Sequence, residues 1–462
     1  MHLMPEENIV IAVFVAARYW PDDEERAGSS AEVVSTLRQA LSQVVGSDAA
    51  IRSFIIEDAA GVDDLPASAG LGILVPMSGS VQPWMERAAG FFRMSFIVPA
   101  YMQAVFPEPL ARRSLERNSA PASMDLYAVI KRNGGPVRLV RSATELAERV
   151  SAWSGVQRLQ GTKLLLVGKP EPWVISVSRR YSDYESAFGV SLETVDQDEL
   201  KRRFEATTDE EAEAKARGYA ERATELVEPD FPGLVEASRL VVAVEGLMEE
   251  TQASGLAVAC FNLIGILGTT SCLAVSMLND SPRWIGACEG DLDSALTLML
   301  VKMVTGRPGW IANPNLQGDD TINFVHCTSA LHLGGGDHAF RLRSHHESGQ
   351  GVSPEVELPV DEEVTLVRFG MEEGKLTVQR GRALEPAHEP SCRTQLRVDV
   401  GGLDGYLREV LGCHQVLVYG DIRSQMRYAA ELLEIETVEP DTSVGPVSAE
   451  ARRTEQQIQL ES

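Results

Sequence analysis

The chain has 462 residues, a formal net charge of −25 and 44% hydrophobic residues. This length exceeds what one hydrophobic core usually organises, so two or three domains are expected. The strongly negative charge repels phosphate backbones and anionic lipid, which argues against nucleic acid and membranes as partners. The six cysteines are scattered without a CxxC pair. That pattern favours reduced thiols in a cytoplasmic protein over a disulfide framework or a zinc knuckle.

The first third of the chain alternates strand-like and helix-like segments. Apolar runs predict strands at Ile9–Val15, Ile51–Ile56, Gly70–Val75 and Ser95–Pro99, and helices are expected at Ala31–Val45 and within Ser80–Phe92. Such alternation predicts a parallel sheet flanked by helices, which we assign to an N-terminal α/β domain at residues 1–160. The sequence contains neither a GxGxxG fingerprint nor a Walker A loop, so both standard nucleotide-binding motifs are absent.

A second α/β domain is predicted at residues 161–325. Its expected elements are a strand at Lys163–Val167, one or two solvated helices in the charged stretch Asp198–Leu226, an amphipathic helix at Phe231–Glu250, and further strands of the same sheet at Val258–Ile264 and Trp310–Ala312. The stretch Gly255–Asn279 lacks charged residues and is long enough to span a bilayer. Its polar residues, its glycines and the absence of a flanking basic cluster favour a buried strand, a loop and the start of a helix.

Residues 326–440 differ from the preceding domain in their pattern of apolar runs and turn residues. Short strand-like runs separated by Gly and Pro turns predict an antiparallel β-rich domain, with strands at Val364–Phe369, Lys375–Arg380, Thr394–Val400 and Val416–Gly420. A helix is predicted to follow at Ile422–Leu433. The last segment, 441–462, is polar and poor in aromatic residues, so we expect a flexible tail.

The candidates for chemistry lie in the second half of the chain. The tetrapeptide Cys288-Glu289-Gly290-Asp291 precedes a predicted helix at Leu292–Val304. A carboxylate in this place is typical of a helix cap, and that interpretation stays open. Glu289 stands out because it follows a long apolar stretch and shares its loop with Asp291 and Asp293. Hard divalent ions prefer oxygen ligands, and a carboxylate combined with an imidazole suits Mn²⁺.

Several motifs follow one another in a characteristic order from about residue 160 to residue 436. They are Gly168–Trp173, Ala287–Asp291 with its continuation to Gly306, Phe324–Thr328, Ser344–Gly349, Cys392–Gln395 and Gly412–Asp421. In this order they resemble the L-fucose isomerase / L-arabinose isomerase family, and in particular its fucose isomerase-related subfamily. The resemblance implies two doubly wound α/β domains followed by a β-rich, barrel-like C-terminal domain, assembled as a homotrimer or homohexamer.

The resemblance also implies a metal site. Glu289 and His414 match metal ligands of the family, whereas Asn313 stands where the family has a third, acidic ligand. An amide oxygen can coordinate a metal ion but cannot abstract a proton, so the chain keeps only one of two carboxylates. His326 roughly matches an additional histidine ligand of the arabinose isomerase branch and is expected to act as a ligand or a base. Asp291 is a further candidate.

The activity implied by the resemblance is aldose–ketose isomerisation of a small sugar, namely a deoxy-hexose, a pentose or a related compound. A divalent metal, expected to be Mn²⁺, polarises the carbonyl, and a carboxylate moves a proton through a cis-enediol. Glu289 is expected to be ligand and base, with Asn313 and His326 as further catalytic residues. The predicted substrate contacts are Trp173, His345, Glu347 and Arg393. Core packing for Trp173 and an ion pair for Arg393 stay open as alternatives.

Two other functions also stay open. One is a related metal-dependent reaction of the same enediol chemistry, namely epimerisation or carbon–carbon cleavage. The other is a catalytically silent sugar-binding homologue, which Asn313 in place of an acid would explain. Turnover that survives Asn313→Ala but not Glu289→Gln favours an isomerase built on one carboxylate. Tight sugar binding without turnover favours the binding protein.

Overall fold

The computed structural model describes residues 9–45, 51–66 and 69–440. They form two compact units that divide between Ser154 and Gly155. The predicted domain boundaries at 160, 325 and 440 stay predictions, and the tail predicted at 441–462 lies outside the described residues. None of the described helices is both long enough and apolar enough to cross a membrane.

The first unit is built on a parallel sheet. Its strands are β1 (Ile9–Phe14), β2 (Ile51–Ile56), β3 (Ala69–Pro76), β4 (Phe92–Ile97) and β5 (Val137–Leu139), in the order β2-β1-β3-β4-β5. Its helices are α1 (Asp23–Leu41), α2 (Gln82–Ala89), α3 (Glu108–Glu116), α4 (Ser119–Arg132) and α5 (Ala143–Leu159), the last of which continues past the division. Every residue of β1 is buried, as expected for a strand covered on both faces. The predicted doubly wound architecture is confirmed.

Helix α1 begins earlier than predicted, at Asp23 rather than at Ala31. Asp22 caps the helix, because its carboxylate accepts a 2.8 Å hydrogen bond from the backbone N–H of Glu25. The acidic residues of the first turn also interact favourably with the helix dipole. The apolar period that predicted the helix starts only after this polar first turn.

The second unit contains another parallel sheet. The strands of this part are β6 (Lys163–Val167), β7 (Ser191–Val195), β8 (Glu225–Leu226), β9 (Gly255–Val258) and β10 (Ile285–Ala287), and all but β8 lie in the order β10-β9-β6-β7. The helices are α6 (Tyr181–Phe188), α7 (Gln197–Ala206), α8 (Asp209–Arg222), α9 (Phe231–Thr251), α10 (Cys260–Leu267), α11 (Cys272–Asp280) and α12 (Leu292–Thr305). The solvated helices and the amphipathic helix predicted here are confirmed as α7, α8 and α9.

The strand predicted at Val258–Ile264 is wrong. Strand β9 ends at Val258, and α10 begins at Cys260. The helix starts here because the buried carboxylate of Glu171, on a different loop, accepts a 3.1 Å hydrogen bond from the N–H of Phe261. The uncharged stretch Gly255–Asn279 is therefore a buried strand followed by two short helices.

The remainder of the second unit is a β-barrel with flanking elements. Its strands are β11 (Trp310–Leu316), β12 (Thr321–His326), β13 (Phe340–Arg343), β14 (Ser353–Val356), β15 (Glu363–Gly370), β16 (Lys375–Leu384), β17 (Thr394–Asp399), β18 (Gln415–Tyr419) and β19 (Glu436–Val438), with helices α13 (Leu403–Arg408) and α14 (Arg423–Leu432). The barrel order is β15-β18-β11-β12-β17-β16, with antiparallel neighbours. It closes because β15 also pairs with β16. A small separate sheet has the order β14-β13-β8. The predicted β-rich, barrel-like domain is confirmed.

Residues Trp310–Ala312 form a strand, but not in the predicted sheet. They belong to β11, which pairs antiparallel with β12 and β18 of the barrel and not with the parallel strands. The Trp310 side chain is fully buried in the barrel core, which fixes the strand there. Consequently β11 lies between the strand that ends in His326 and the strand that follows His414.

The cysteines agree with the prediction of reduced thiols. Cys260, Cys272, Cys288, Cys327, Cys392 and Cys413 all lie within the described residues, and all are free. Three of them are buried and only Cys413 is exposed. A disulfide framework therefore plays no part in holding the described fold together.

Candidate metal centre

The candidate site lies at one edge of the second parallel sheet. Because β6, β9 and β10 run parallel, the loops that follow them emerge at the same edge. The loop after β6 carries Glu171 and Trp173, Phe261 follows β9, and Glu289 follows β10. The order of the strands reverses between β6 and β9, which is where open α/β sheets usually bind their ligands.

Glu289 lies in a strained turn. Its φ of 57° falls in the left-handed region, which is uncommon for a residue other than glycine. Gly290 follows with a φ of 63°, and a Cβ atom there would come within 2.7 Å of the Cα of Pro170. The N–H of Glu171 donates a 2.9 Å hydrogen bond to the carbonyl of Glu289. The loop after β6 thus stabilises a backbone conformation that costs on the order of 1–3 kcal/mol. Strained backbone of this kind clusters at functional sites.

Three side chains from distant parts of the chain converge at this edge. Glu289 follows β10, His326 ends β12, and His414 immediately precedes β18. Oε1 of Glu289 lies 3.5 Å from Nε2 of His414 and 4.0 Å from Nε2 of His326. Within the described parts of the chain, these residues form a group whose ligand atoms all lie within 4.8 Å of one another and could hold a metal ion.

The protonation states of Glu289 and His414 depend on each other. Burial raises the pKa of Glu289, but the hydrogen bond and charge of His414, together with the charge of His326, outweigh it and lower this pKa to about 2. Burial lowers the pKa of His414, whereas its hydrogen bonds, foremost to Asp291, raise it well above the ordinary value. The Glu289 carboxylate is therefore ionised at neutral pH, and the His414 imidazole is its main positive partner in the metal-free protein.

His326 should make the stability of the metal-free protein depend on pH. Burial, followed by the charge of His414, lowers the pKa of His326 to about 4, whereas an unfolded histidine titrates near 6.5. Between these values the unfolded chain binds a proton that the folded protein does not, so this contribution to stability is lost as pH falls from 6.5 to 4. We expect a loss of about 3 kcal/mol, which His326→Gln removes. Urea unfolding of both proteins from pH 7 to pH 4 measures it, and equal losses in both would contradict it.

Behind His414 lies a buried network of charged side chains. Oδ2 of Asp291 accepts a 2.7 Å hydrogen bond from Nδ1 of His414 and a 2.8 Å bond from Nη1 of Arg368. Nη2 of Arg368 lies 3.4 Å from Oδ2 of Asp293, whose Oδ1 accepts a 2.6 Å bond from the Tyr184 hydroxyl. The side chains of Arg368 and both aspartates are fully buried. Asp291 is a further ligand candidate from the sequence. Its carboxylate contacts Nδ1 of His414, on the side of the ring away from Glu289.

Two of the predicted substrate contacts lie beside the group. Trp173 is half exposed, and its Nε1–H donates a 2.8 Å hydrogen bond to Oε2 of Glu289. Its ring meets Phe261 edge-on at 4.9 Å between centroids, and Phe261 in turn meets His345 at 5.7 Å. The three rings form a row in which Trp173 contacts the Glu289 carboxylate, Phe261 contacts Trp173, and His345 contacts Phe261. Substrate binding by Trp173 and His345 stays a prediction.

Asn313 lies in β11. This strand runs between β12, whose last residue is His326, and β18, which begins directly after His414. Asn313 is half-buried and pairs with Val325 in the register of β11 and β12. Directly opposed residues of antiparallel strands share a face, and successive residues alternate. The Asn313 side chain therefore lies on the face of Val325, whereas His326 points to the opposite face. Its role as a ligand stays a prediction.

Glu347 and Arg393 lie in the loops around the β13–β14 hairpin. Arg393 donates a 2.8 Å hydrogen bond to the carbonyl of Ser344 and lies 3.8 Å from Glu228, so the ion-pair interpretation describes its contacts. Through Ser344 it anchors the segment that carries His345. Glu347 is exposed. The described contacts connect neither residue directly to Glu289, and their binding roles stay predictions.

Four residues of this region were not found from the sequence. They are Glu171, Phe261, Tyr184 and Arg368. Glu171 and Phe261 follow parallel strands, so the rule that the carboxyl ends of such strands share an edge could have found them. Arg368 interrupts an apolar strand, Val364–Phe369, and a lone charge in such a run signals a buried ion pair. Tyr184 carries no comparable signal.

Comparison with known proteins adds one similarity. No protein-family model matches the chain. The chain is 26% identical over 268 residues to a sulfoquinovose isomerase of Clostridium sp. (strain MSTE9). The match covers 55% of this chain and 59% of that protein, so the chain spans about three fifths of the length of the curated relative it matches. Over more than half of its length, this chain is therefore similar to a protein named as an isomerase of a sugar.

Proposed function

We propose that this protein is a metal-dependent aldose–ketose isomerase that acts on a small sugar. The observation that carries the proposal is the convergence of Glu289, His326 and His414 at the carboxyl edge of the second parallel sheet. The similarity to a sulfoquinovose isomerase supports the type of reaction. The resemblance of the motifs to fucose and arabinose isomerases supports the same reaction type.

The donor set fits a divalent metal ion. Ligands at right angles around an ion with bonds of about 2.1 Å lie about 3 Å apart. The 3.5 Å and 4.0 Å separations of Glu289 from the two histidines approach this value, so small side-chain movements close the site. One carboxylate and two imidazoles, without a thiolate, suit a first-row divalent ion such as Mn²⁺, Fe²⁺ or Zn²⁺. We propose Mn²⁺, with Asn313 as a predicted further ligand.

The chain's own residues can perform the proton transfer. A divalent ion held by Glu289, His326 and His414 would act as a Lewis acid on the substrate carbonyl and acidify the hydrogen on the neighbouring carbon. The low pKa of Glu289 keeps its side chain ionised, and we assign this carboxylate as the acceptor of the proton from the carbon beside the carbonyl. Trp173 orients that carboxylate through Oε2. The carbonyl oxygen takes up a proton to give a cis-enediol. Glu289 then returns its proton to the former carbonyl carbon while the neighbouring hydroxyl group loses its proton, so that the carbonyl moves by one carbon. His326 is neutral at pH 7 because its pKa is about 4, so its ring nitrogen can bind the ion or relay a proton.

The substrate class follows from the relative and from the motifs together. Sulfoquinovose is the first sugar to test because the relative is named for it. L-Fucose and L-arabinose follow from the resemblance of the motifs. An epimerase or lyase would convert the same sugars into different products, and a binding protein would leave them unchanged.

Removal of the metal is expected to abolish turnover. Protein treated with EDTA and desalted should not interconvert aldose and ketose, and addition of Mn²⁺ should restore the reaction. Proton NMR in D₂O follows the products, and deuterium incorporated at the carbon next to the carbonyl marks an enediol. Full turnover by the metal-free protein would contradict the proposal. Binding of a sugar without any product would support the silent homologue instead.

The remaining expectations are proposals of the same kind. We propose a homotrimer or homohexamer, which light scattering of the purified protein measures. The absence of nucleic acid and membrane partners and a cytoplasmic location stay predictions from composition.

A further inference from the structure

We infer that Asp291 and Arg368 are positioning residues that fix the His414 ring with Nε2 facing the metal. This inference rests on the proposed function, because it assumes the metal site formed by Glu289, His326 and His414. It assigns a role to two charged residues that the proton-transfer mechanism does not use.

The hydrogen bond between Asp291 and His414 selects one form of the imidazole. Oδ2 of Asp291 lies 2.7 Å from Nδ1 of His414, and Nε2 faces Oε1 of Glu289 at 3.5 Å. An ionised carboxylate can only accept hydrogen bonds, so Nδ1 must carry the proton. Nε2 is then the nitrogen left to bind a cation, which would displace the proton that faces Glu289 in the metal-free protein, and the ring cannot turn without losing a buried hydrogen bond.

The Asp291 carboxylate is itself held on both oxygens. Oδ1 accepts a 2.8 Å hydrogen bond from the N–H of Ser294, and through this bond Asp291 caps helix α12. Oδ2 accepts a 2.8 Å bond from the Ser294 hydroxyl and a 2.8 Å bond from Nη1 of Arg368. Asp291 belongs to the loop before α12, whereas Arg368 and His414 belong to the barrel. The three side chains therefore align the histidine of the barrel with the glutamate of the α/β part.

Asp293 offers a matched control. It lies in the first turn of the same helix, is fully buried and pairs with the same arginine at 3.4 Å. Its other oxygen binds the Tyr184 hydroxyl, not His414. Asp291→Asn and Asp293→Asn each replace a buried carboxyl group beside Arg368 by an amide, but only the first alters the partner of His414. Asparagine also caps helices, so Asp291→Asn keeps the start of α12.

The test measures Mn²⁺ affinity by the electron paramagnetic resonance of free Mn²⁺, with the full-length chain and each variant. We expect Asp291→Asn to weaken Mn²⁺ binding about 10- to 100-fold, the usual effect of losing the partner of a metal-binding histidine. Asp293→Asn should change it less than about threefold. Thermal unfolding of both variants shows how far each substitution disturbs the fold.

A double substitution separates positioning from general damage. In a His414→Ala background the histidine that Asp291 positions is gone, so adding Asp291→Asn should weaken Mn²⁺ binding no further. If the two effects instead multiply, Asp291 does not act through His414 and the inference fails. Equal losses of affinity in Asp291→Asn and Asp293→Asn also overturn it, as does unchanged affinity in Asp291→Asn.

If the unsubstituted protein binds no divalent ion, the proposed function fails together with the inference. If it binds Mn²⁺ but turns over no sugar, the proposed function fails and the inference is still decided.

Discussion

Replacement of Glu289 by glutamine is expected to lower the rate of aldose–ketose interconversion by about 10²- to 10⁴-fold, the usual contribution of a positioned general base. Glutamine keeps an oxygen that can accept the Trp173 hydrogen bond, and it tolerates the left-handed backbone about as well as glutamate does. The change therefore removes the proton-accepting charge and one charged metal ligand while leaving the turn in place. The measurement is the initial rate of ketose formation at saturating Mn²⁺.

Glu171→Gln is the matched control for this prediction. Glu171 is a buried glutamate at the same edge, but its Oε1 accepts a hydrogen bond from the N–H of Phe261 at the start of α10. A glutamine oxygen can accept the same hydrogen bond, so we expect turnover to change little. If Glu171→Gln abolishes turnover and Glu289→Gln does not, the base has been assigned to the wrong carboxylate.

Replacement of Arg368 by methionine is expected to lower the free energy of unfolding by about 3–5 kcal/mol. Removal of one partner from a buried ion pair leaves buried charge poorly compensated, and here two aspartates lose the same arginine at once. Urea unfolding followed by tryptophan fluorescence measures the change. Arg180→Met is the control, because Arg180 pairs with Glu372 on the surface, where an ion pair contributes at most about 1 kcal/mol. Equal losses in the two variants would contradict the prediction.

The same variant should show a specific dependence on pH. In the unsubstituted protein, burial raises the pKa of Asp291, but Arg368 and His414 together bring it below the ordinary range. Burial raises the pKa of Asp293 to about 7 despite Arg368, and the charge of Asp291 adds to that rise. Without Arg368 the pKa of each aspartate rises, because its strongest neighbouring positive charge is gone. The deficit in stability of Arg368→Met should therefore shrink as pH falls from 7 to 5. A deficit that stays constant over this range would show that lost packing, and not unpaired charge, destabilises the variant.

The fold class was accessible from local patterns. Apolar runs such as Ile9–Val15 and Lys163–Val167 bury both faces of parallel strands, and the turn-separated runs after residue 326 form the barrel. Where local pattern and tertiary contact conflict, the contact wins. The apolar residues after Val258 form α10 because Glu171, far away in sequence, supplies the cap. Trp310–Ala312 joined the barrel because its partners β12 and β18 lie there.

The candidate site divides in the same way. Glu289 and His414 are predicted as ligands because the motifs around them resemble those of the isomerase family. The pairing of Asp291 with Arg368 spans 77 residues and that of Asp291 with His414 spans 123, and neither leaves a local pattern. The nitrogen of His414 that faces Glu289 and the side of β11 that Asn313 occupies depend on strand register and on burial. Periodicity and motif spacing record which backbone each segment adopts and which residue types it carries. Convergence of charged groups in three dimensions requires the packed chain, because burial and distance set their interactions.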